Sequence, residues 1–199
     1  MSILIFDLDG VIITYEKNFA ETYSAEFGVE VGKIYKFFSN DYRDCAIGRS
    51  ALSDKIEKYI PLWRWPGKVD SLIKYWFDCQ SVIDANLIDL IKSARSAGND
   101  CYVASDQDAM RSSYIRKLFD FDSVFNGCFF SCELGATKAE ASFFEHILGT
   151  LQCVSGEVCF WDDNPQNVAT AKEVGINAEV YTGYDDFWPS FSKRFGLIR

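Results

Sequence analysis

Apolar positions follow two different spacings along this chain, and the spacing predicts different elements in different segments. The chain opens on a continuous apolar run from Ile3 to Phe6. Such a run is typical of a strand that is covered on both faces of a parallel sheet. Asp7, Asp9 and Gly10 follow it directly. Because two neighbouring acids repel each other unless a positive group lies between them, the end of this strand is a candidate functional site.

Beyond Ser81, strand-like runs alternate with stretches of helical spacing. The runs that predict strands are "CYVAS", "GCFFS", "EVCFW" and "NAEVY". The first intervening helix is expected between Asp84, a favourable N-cap, and Gly98. Later helices are expected to reach Leu118 and to end at Gly149 and Gly175. This alternation predicts an α/β fold with a doubly wound parallel sheet.

Residues 15–81 break the alternation, because they carry helical spacing and no convincing strand. Many of their apolar positions are aromatic, as at Phe19 and Trp76. Such residues are more typical of the core of a small helical bundle than of a substrate platform. The chain is therefore predicted to form an α/β core from residues 1–14 and 82–199, with residues 15–81 inserted after the first strand as a small α-helical cap domain.

Composition limits the classes of partner. The chain of 199 residues carries 20 basic and 29 acidic side chains, a formal net charge of −9, and no basic stripe of the kind that nucleic-acid binders use. No apolar run is long enough to span a bilayer, and the N-terminus lacks a leader-like pattern. The seven cysteines are scattered and odd in number, which is typical of reduced thiols. We therefore expect a cytoplasmic protein that binds neither nucleic acid nor membranes, while its oligomeric state is left open.

Polar side chains follow four of the predicted strands. They are Asp7 and Asp9 after the first run, Ser105 and Asp106 at the end of the second, Lys138 after the third, and Asp162 and Asp163 after "EVCFW". Thr137 and Glu140 have the spacing of a capping box, which predicts Lys138 in the first turn of a helix, where anions are favoured. Ligands of open α/β sheets bind outside the carboxyl ends of the strands. These groups are therefore expected to meet at one edge of the sheet.

The four sites match, in order, the motifs of a known family. The sequence resembles the haloacid dehalogenase superfamily of Mg²⁺-dependent phosphatases and phosphotransferases, with a helical cap after the first strand. "DLDGV" resembles the first motif, "VASDQ" the second, Lys138 the third and "CFWDDNPQN" the fourth. Two positions depart from the pattern: Asp106 stands where Asn is frequent, and Ala139 follows Lys138 where Pro is common. The resemblance implies a Rossmann-like core and Mg²⁺ as the cofactor.

The resemblance also implies a role for each acid. Asp7 would bind Mg²⁺ through one carboxylate oxygen and use the other as the nucleophile. Asp9 would bind the ion through its backbone carbonyl, which leaves its side chain free to be the general acid and base. Asp163 would be a direct ligand, and Asp162 would act through water or by orienting the other ligands. Because Mg²⁺ prefers oxygen ligands, its presence would explain why the two opening acids tolerate each other.

A phosphate site and two specificity residues complete the implied set. Ser105, Asp106 and Lys138 would hold the phosphoryl oxygens by positioning and by charge. Arg49 and Arg64 lie in the predicted cap and are candidates for contact with the substrate. Each of these arginines could equally be an ordinary surface residue, with its aliphatic stem on the protein and its charge in water.

The function that these motifs imply is hydrolysis of a small phosphorylated metabolite, such as a sugar phosphate. The reaction would pass through an aspartyl-phosphate on Asp7. Two alternatives stay open: a phosphomutase built on the same core, and a binding or regulatory protein that keeps the fold without turnover. Dehalogenation is disfavoured, because that branch of the family does not need the second acid that Asp9 supplies here.

Overall fold

The computed structural model describes residues 2–118 and 121–197 and contains a five-stranded parallel sheet. The strands are β1 (Ile3–Phe6), β2 (Ile13–Thr14), β3 (Val82–Ile83), β4 (Asp100–Ser105), β5 (Gly127–Phe130), β6 (Val158–Asp162) and β7 (Asn177–Val180). In the main sheet they lie in the order β5, β4, β1, β6, β7, while β2 and β3 form a separate antiparallel pair. The opening strand is therefore central, between β4 and β6. The predicted α/β fold with a parallel sheet is confirmed.

Helices fill the connections between the strands. They are α1 (Phe19–Phe27), α2 (Val31–Asn40), α3 (Tyr42–Ala46), α4 (Leu52–Ile56), α5 (Tyr59–Leu62), α6 (Val69–Cys79), α7 (Ala85–Ser96), α8 (Ala109–Leu118), α9 (Phe121–Val124), α10 (Ser131–Leu134), α11 (Ala141–Leu151), α12 (Pro165–Glu173) and α13 (Tyr184–Phe195). Within residues 2–118 and 121–197, no helix combines the length and the apolar character needed to cross a bilayer.

The two faces of the sheet are covered by different helices, as a doubly wound fold requires. Leu4 and Phe6 point to one face, where they join an apolar cluster with residues of α7, α8 and α13. Ile5 points to the opposite face, because successive side chains of a strand alternate, and it packs with residues of α11 and α12. All three side chains are buried. Burial on both faces explains why the opening strand is uniformly apolar.

Helices α1 to α6 form one continuous insertion between β2 and β3. Their buried residues make a separate, largely aromatic cluster in which Trp63 and Phe37 are completely buried. The aromatic residues therefore fill a core, as their spacing indicated. The β2–β3 pair joins Thr14 to Val82, at the two places where the chain was expected to leave and re-enter the α/β core. The domain division itself, residues 1–14 and 82–199 against 15–81, stays a prediction.

Three sequence-based expectations differ from the structure. Lys138 does not lie in the first turn of a helix, because residues 138–140 form a turn and α11 begins only at Ala141. The Glu140 side chain accepts hydrogen bonds from the Thr137 hydroxyl and amide, so the capping-box pattern closes this turn instead of a helix. Helix α11 continues two residues beyond Gly149, and the last helix, α13, was not expected.

Candidate active site

Asp7 stands at the carboxyl end of the central strand and is almost completely buried, with 4% of its surface exposed. Its backbone amide donates to the carbonyl of Trp161 on the neighbouring strand β6, at 2.9 Å. Its side-chain oxygen Oδ1 accepts a hydrogen bond from the amide of Leu8 at 2.7 Å. These contacts fix the carboxylate at the point where the sheet ends.

Gly10 lets the fourth strand end approach the first. Its φ angle is +83°, a backbone conformation that residues other than glycine rarely adopt. A Cβ atom at this position would overlap the carboxylate of Asp163. Glycine is therefore required both for the backbone turn and for the close approach of Asp163 to the loop that follows β1.

Three carboxylates meet at this edge of the sheet. Asp7, Asp162 and Asp163 each offer an oxygen that lies within 4.8 Å of the other two. Carboxylate oxygens at such spacing suit a hard divalent cation such as Mg²⁺. Burial raises the pKa of the Asp163 carboxyl, and the neighbouring charge of Asp162 raises it further. A bound cation would favour the ionised forms of these acids.

Lys138 is the positive group that lies between two of the acids. Its Nζ atom is 2.6 Å from Asp7 Oδ1 and 2.7 Å from Asp162 Oδ2, and its side chain is 3% exposed. Burial by itself would lower the pKa of Lys138, but the charges of Asp7, Asp162 and Asp106 outweigh that effect and raise it. Burial raises the pKa of Asp7, and the positive charge of Lys138 opposes this shift. Lys138 therefore stays protonated.

Asp162 is fully buried, and its oxygens are already occupied by donors. In addition to Lys138, they accept hydrogen bonds from the backbone amide of Asn164 at 2.8 Å and from Asn167 Nδ2 at 3.1 and 3.2 Å. Asn164 is the N-cap of α12 and accepts from the amide of Gln166. This arrangement orients the Lys138 ammonium and fixes the start of the helix beside Asp163.

Ser105 and Asp106 follow β4, the strand next to β1. Ser105 is buried, and its hydroxyl oxygen accepts a hydrogen bond from Gln107 Nε2 at 3.0 Å. Asp106 Oδ1 accepts from the backbone amide of Lys138 at 3.0 Å, and burial raises the pKa of its carboxyl. The strand end after β4 is thus tied directly to the turn that carries Lys138.

The Asp9 carboxylate is oriented differently from the other acids. Its Oδ2 accepts a hydrogen bond from Gln107 Nε2 at 2.7 Å, and its Oδ1 lies 3.6 Å from Arg111 Nη2. The side chain is outside the group of three clustered carboxylates. Asp7 and Asp9 therefore point to separate partners, which relieves the repulsion expected from their spacing.

The comparison with known proteins identifies the family to which the chain belongs. The family model for haloacid dehalogenase-like hydrolases matches residues 1–175. The chain belongs to this hydrolase family. The match contains β1, the insertion, the turn of Lys138 and the strand end with Asp162 and Asp163, whereas α13 lies beyond it.

Similar proteins include phosphatases and metal-bound enzymes. The sesquiterpene phosphatase astK of Aspergillus oryzae is 28% identical over 93 residues, and the chain spans about half of its length, 47%. An uncharacterised protein of Dictyostelium discoideum is 23% identical over 205 residues, which are 88% of this chain and 89% of that protein. A haloacid dehalogenase family enzyme of Bacteroides thetaiotaomicron, solved with magnesium, has a TM-score of 0.81 at 18% identity and covers 96% of this chain and 98% of its own. That likeness shows the shared fold.

The structure of this family member brings together all seven core residues that the motifs singled out. Asp7, Asp106, Lys138, Asp162 and Asp163 form one connected set. Ser105 and Asp9 lie beside it and are joined to each other through Gln107. The side chains of Arg49 and Arg64 are exposed and make no hydrogen bond or ion pair with another described residue. Their role in specificity stays a prediction.

Several residues next to the candidate site were not identified from the sequence. Gln107 and Arg111 approach Asp9, and Asn167 binds Asp162. Tyr15, which leads from β2 into the insertion, lies close enough for Asp9 to add to the burial that raises its pKa. Gln107 falls inside the quoted motif "VASDQ", but nothing in the sequence indicates that its amide would reach across to the neighbouring strand end.

The insertion contacts the core close to the site. Tyr42 donates a hydrogen bond to Asp108 Oδ2 at 3.2 Å, and Arg43 forms an exposed ion pair with Glu140 at 3.1 Å. The Ser131 hydroxyl donates to the carbonyl of Ala46 at 2.6 Å. These contacts place α3 over the strand ends that carry the polar residues.

Proposed function

We propose that this protein is a Mg²⁺-dependent phosphohydrolase that cleaves small phosphomonoesters, with Asp7 as the nucleophile. The observation that carries the proposal is the placement of the Asp7 carboxylate. It lies at the end of the central strand, 2.6 Å from the Lys138 ammonium and within 4.8 Å of an Asp163 oxygen. A carboxylate fixed between a lysine and a candidate cation site suits attack on a negatively charged phosphoryl group.

Asp7 and Asp163, with the backbone carbonyl of Asp9, are the proposed ligands of Mg²⁺. Asp162 is proposed to hold Lys138 instead, because its oxygens already accept hydrogen bonds from Lys138, Asn164 and Asn167. When bound, Mg²⁺ would offset the negative charge that the phosphoryl group brings next to Asp7.

The proposed phosphate site consists of Ser105, Asp106 and Lys138. Lys138 offers a protonated ammonium, and Ser105 offers a buried hydroxyl at the end of β4. Asp106 is an acid and would repel a phosphate that touched it, so its proposed contribution is indirect. It accepts the hydrogen bond of the Lys138 amide and thereby holds the turn in place.

The proposed reaction has two steps that use the two opening acids. In the first, an oxygen of Asp7 forms a bond to phosphorus, the bond from phosphorus to the leaving oxygen breaks, and Asp9 gives that oxygen its proton. In the second, Asp9 takes a proton from water, the water oxygen bonds to phosphorus, and the Asp7 carboxylate is released. The products are an alcohol and phosphate.

The relatives support this proposal. One is named a sesquiterpene phosphatase, and the family enzyme of Bacteroides thetaiotaomicron has been solved with both magnesium and inorganic phosphate, at a TM-score of 0.78 and 18% identity. We further propose that residues 15–81 act as a cap over the substrate. A cap of this kind favours a small phosphorylated metabolite over a macromolecule.

The test is hydrolysis of p-nitrophenyl phosphate by the purified protein, with Mg²⁺ and after its removal by a chelator. We expect turnover that requires Mg²⁺ and that is lost in Asp7→Asn, because an amide is a poor nucleophile and a weak metal ligand. Asp89→Asn is the matched control, since it makes the same change on an exposed side chain of α7.

Two results would contradict the proposal. Absence of turnover by the folded wild-type protein on p-nitrophenyl phosphate and on a panel of sugar, nucleotide and isoprenoid monophosphates would favour a binding or regulatory role. Near-normal activity of Asp7→Asn would show that another group is the nucleophile. Circular dichroism and thermal unfolding of both variants would verify that the fold is kept.

A further inference from the structure

Arg111 carries a buried positive charge that has no role in the proposed reaction. It lies in the first turns of α8, and its side chain is 3% exposed. One guanidinium nitrogen, Nη1, donates to the carbonyl of Phe77 at 2.9 Å. The other, Nη2, donates to the carbonyl of Gln80 and lies 3.6 Å from Asp9 Oδ1. The guanidinium also packs on the rings of Phe77 and Tyr114, with distances to the ring centres of 5.1 and 5.4 Å.

The partners of this guanidinium come from two parts of the molecule. Phe77 and Gln80 lie at the C-terminal end of α6, where the last carbonyls of a helix carry partial negative charge and favour a cation. Asp9 belongs to the loop after β1 and supplies the full negative charge. Because a buried charge is costly unless it is paired, these contacts hold Arg111 in one position.

Asp9 in turn is held from two sides. Gln107 Nε2 donates to Oδ2 at 2.7 Å and to the Ser105 hydroxyl at 3.0 Å, which fixes the amide between the two residues. Oδ1 is buried and accepts no hydrogen bond within the part of the chain that the structure describes. Arg111 faces this oxygen beyond hydrogen-bond length, so it attracts the carboxylate without occupying the position of a proton.

We propose that Arg111 is a positioning residue for Asp9 and that it couples the orientation of this acid to the end of helix α6. The inference rests on the proposed function, in which Asp9 transfers the proton. Nη2 is shared between Asp9 and the carbonyl of Gln80, so a displacement of the end of α6 moves the charge that orients Asp9. Because α6 is the last helix of the insertion, proton transfer depends on where the insertion sits over the core.

The test is a double-mutant cycle between Arg111→Met and Asp9→Asn, measured on an alkyl phosphate with a poor leaving group. In the wild-type background, Arg111→Met is expected to lower kcat by about 10²-fold with little change in KM, as misplacement of a catalytic group does. In the Asp9→Asn background, the same change is expected to cost less than about twofold, because no proton donor is left to misplace.

The controls separate positioning from stability. Arg116→Met is the matched variant, because Arg116 lies on the same helix, forms an ion pair with Glu133 at 2.8 Å and packs on the ring of Phe130, away from Asp9. It should leave kcat unchanged in both backgrounds. Arg111→Lys keeps the charge but lacks the planar fork that reaches both carbonyls, and it should recover part of the lost kcat. It replaces Arg111→Met in the cycle if the methionine variant does not fold.

The outcomes distinguish this inference from the proposed function. Equal fold losses from the Arg111 substitution in both backgrounds would show a structural role and overturn the inference, although the enzyme remained a phosphatase. An Arg111 substitution that raised KM and left kcat unchanged would also overturn the inference. No turnover by the wild-type protein on any phosphomonoester would overturn both the proposed function and the role of Arg111.

Discussion

Asp7 and Asp9 are separated by one residue, but their carboxylates are held by different groups. Asp7 Oδ1 receives the Lys138 ammonium at 2.6 Å and the Leu8 amide at 2.7 Å. Asp9 receives the Gln107 amide at 2.7 Å and faces Arg111. The two acids therefore do not compete for one positive charge. This separation suits the proposed roles of Asp7 as nucleophile and Asp9 as proton donor, since the first must be ionised and the second must exchange a proton.

At the residue scale, Asp9→Asn tests the division of labour between the two acids. Since the Asp9 side chain lies outside the three clustered carboxylates, we expect the Mg²⁺ affinity to be nearly unchanged. Turnover of an alkyl phosphate should fall by about 10² to 10⁴-fold, the usual contribution of general acid and base catalysis. With p-nitrophenyl phosphate, whose leaving group needs little protonation, a burst of product followed by slow turnover is expected.

Pre-steady-state kinetics and a Mg²⁺ titration of the variant provide the measurement. The burst should coincide with phosphate trapped on Asp7, which mass spectrometry of the quenched protein would detect. Lost Mg²⁺ affinity without a burst would instead show that the Asp9 side chain is a metal ligand.

The strands β1 and β6, which end at the site, are short, and aromatic side chains pack against both of them. Trp161 precedes Asp162 on β6, and Phe6 precedes Asp7 on β1; their rings stack with centres 5.2 Å apart. Phe191 of α13 packs on both, at 6.1 Å from Phe6 and 5.3 Å from Trp161. Helix α13 therefore supports the two strands whose ends hold Asp7 and Asp162.

At the element scale, Phe191→Ala tests this support. The side chain is 2% exposed, and a change from phenylalanine to alanine in a core costs about 3 to 5 kcal/mol of unfolding free energy. Denaturation in urea should show that loss, whereas Lys193→Ala on the exposed side of the same helix should change the free energy by less than about 0.5 kcal/mol. Equal stability of the two variants would show that the packing of Phe191 on β1 and β6 does not stabilise the fold.

At the scale of the whole molecule, the insertion meets the core along a boundary next to the strand ends. Gly48 adopts a φ of +73°, and a Cβ there would overlap the carbonyl of Cys132, so the backbone of the insertion rests on α10. Arg49 follows directly and is exposed at this boundary. Arg64 lies in the loop after α5, where its amide donates to the carbonyl of Pro61 within the insertion.

These positions give the two arginines different expected effects. We expect Arg49→Ala to raise KM for the preferred phosphorylated metabolite, while turnover of p-nitrophenyl phosphate stays within about twofold of the wild type, because a surface change leaves the core intact. Arg64→Ala is measured beside it and should have the smaller effect on KM. The measurement is kcat and KM on both substrates. Equal losses of activity on both substrates would indicate damage to the core. Unchanged kcat and KM in Arg49→Ala would show that Arg49 is an ordinary surface residue that does not contact the substrate.

The sequence by itself determined most of the local structure and the candidate chemistry. Helix α7 begins after Asp84, whose side chain accepts from the amides of Asn86 and Leu87, and α12 begins with Pro165 after the N-cap Asn164. Such signals are readable because periodicity and capping act within a few residues. The order of the motifs was sufficient to place the polar groups at one edge, since parallel strands all end on the same side.

The tertiary structure decided which groups meet at that edge. Gln107 and Arg111 are close to Asp9 because β4 lies beside β1, a pairing that no local pattern encodes. Helix α13 was not predicted: Phe187 and Phe191 have helical spacing, but Pro189 between them is a residue that usually ends a helix. The segment at Lys138 forms a turn where the start of a helix was expected. This turn places the Lys138 ammonium in the buried space between Asp7 and Asp162. Long-range contacts set these features, and a charge buried among distant partners leaves no local pattern in the sequence.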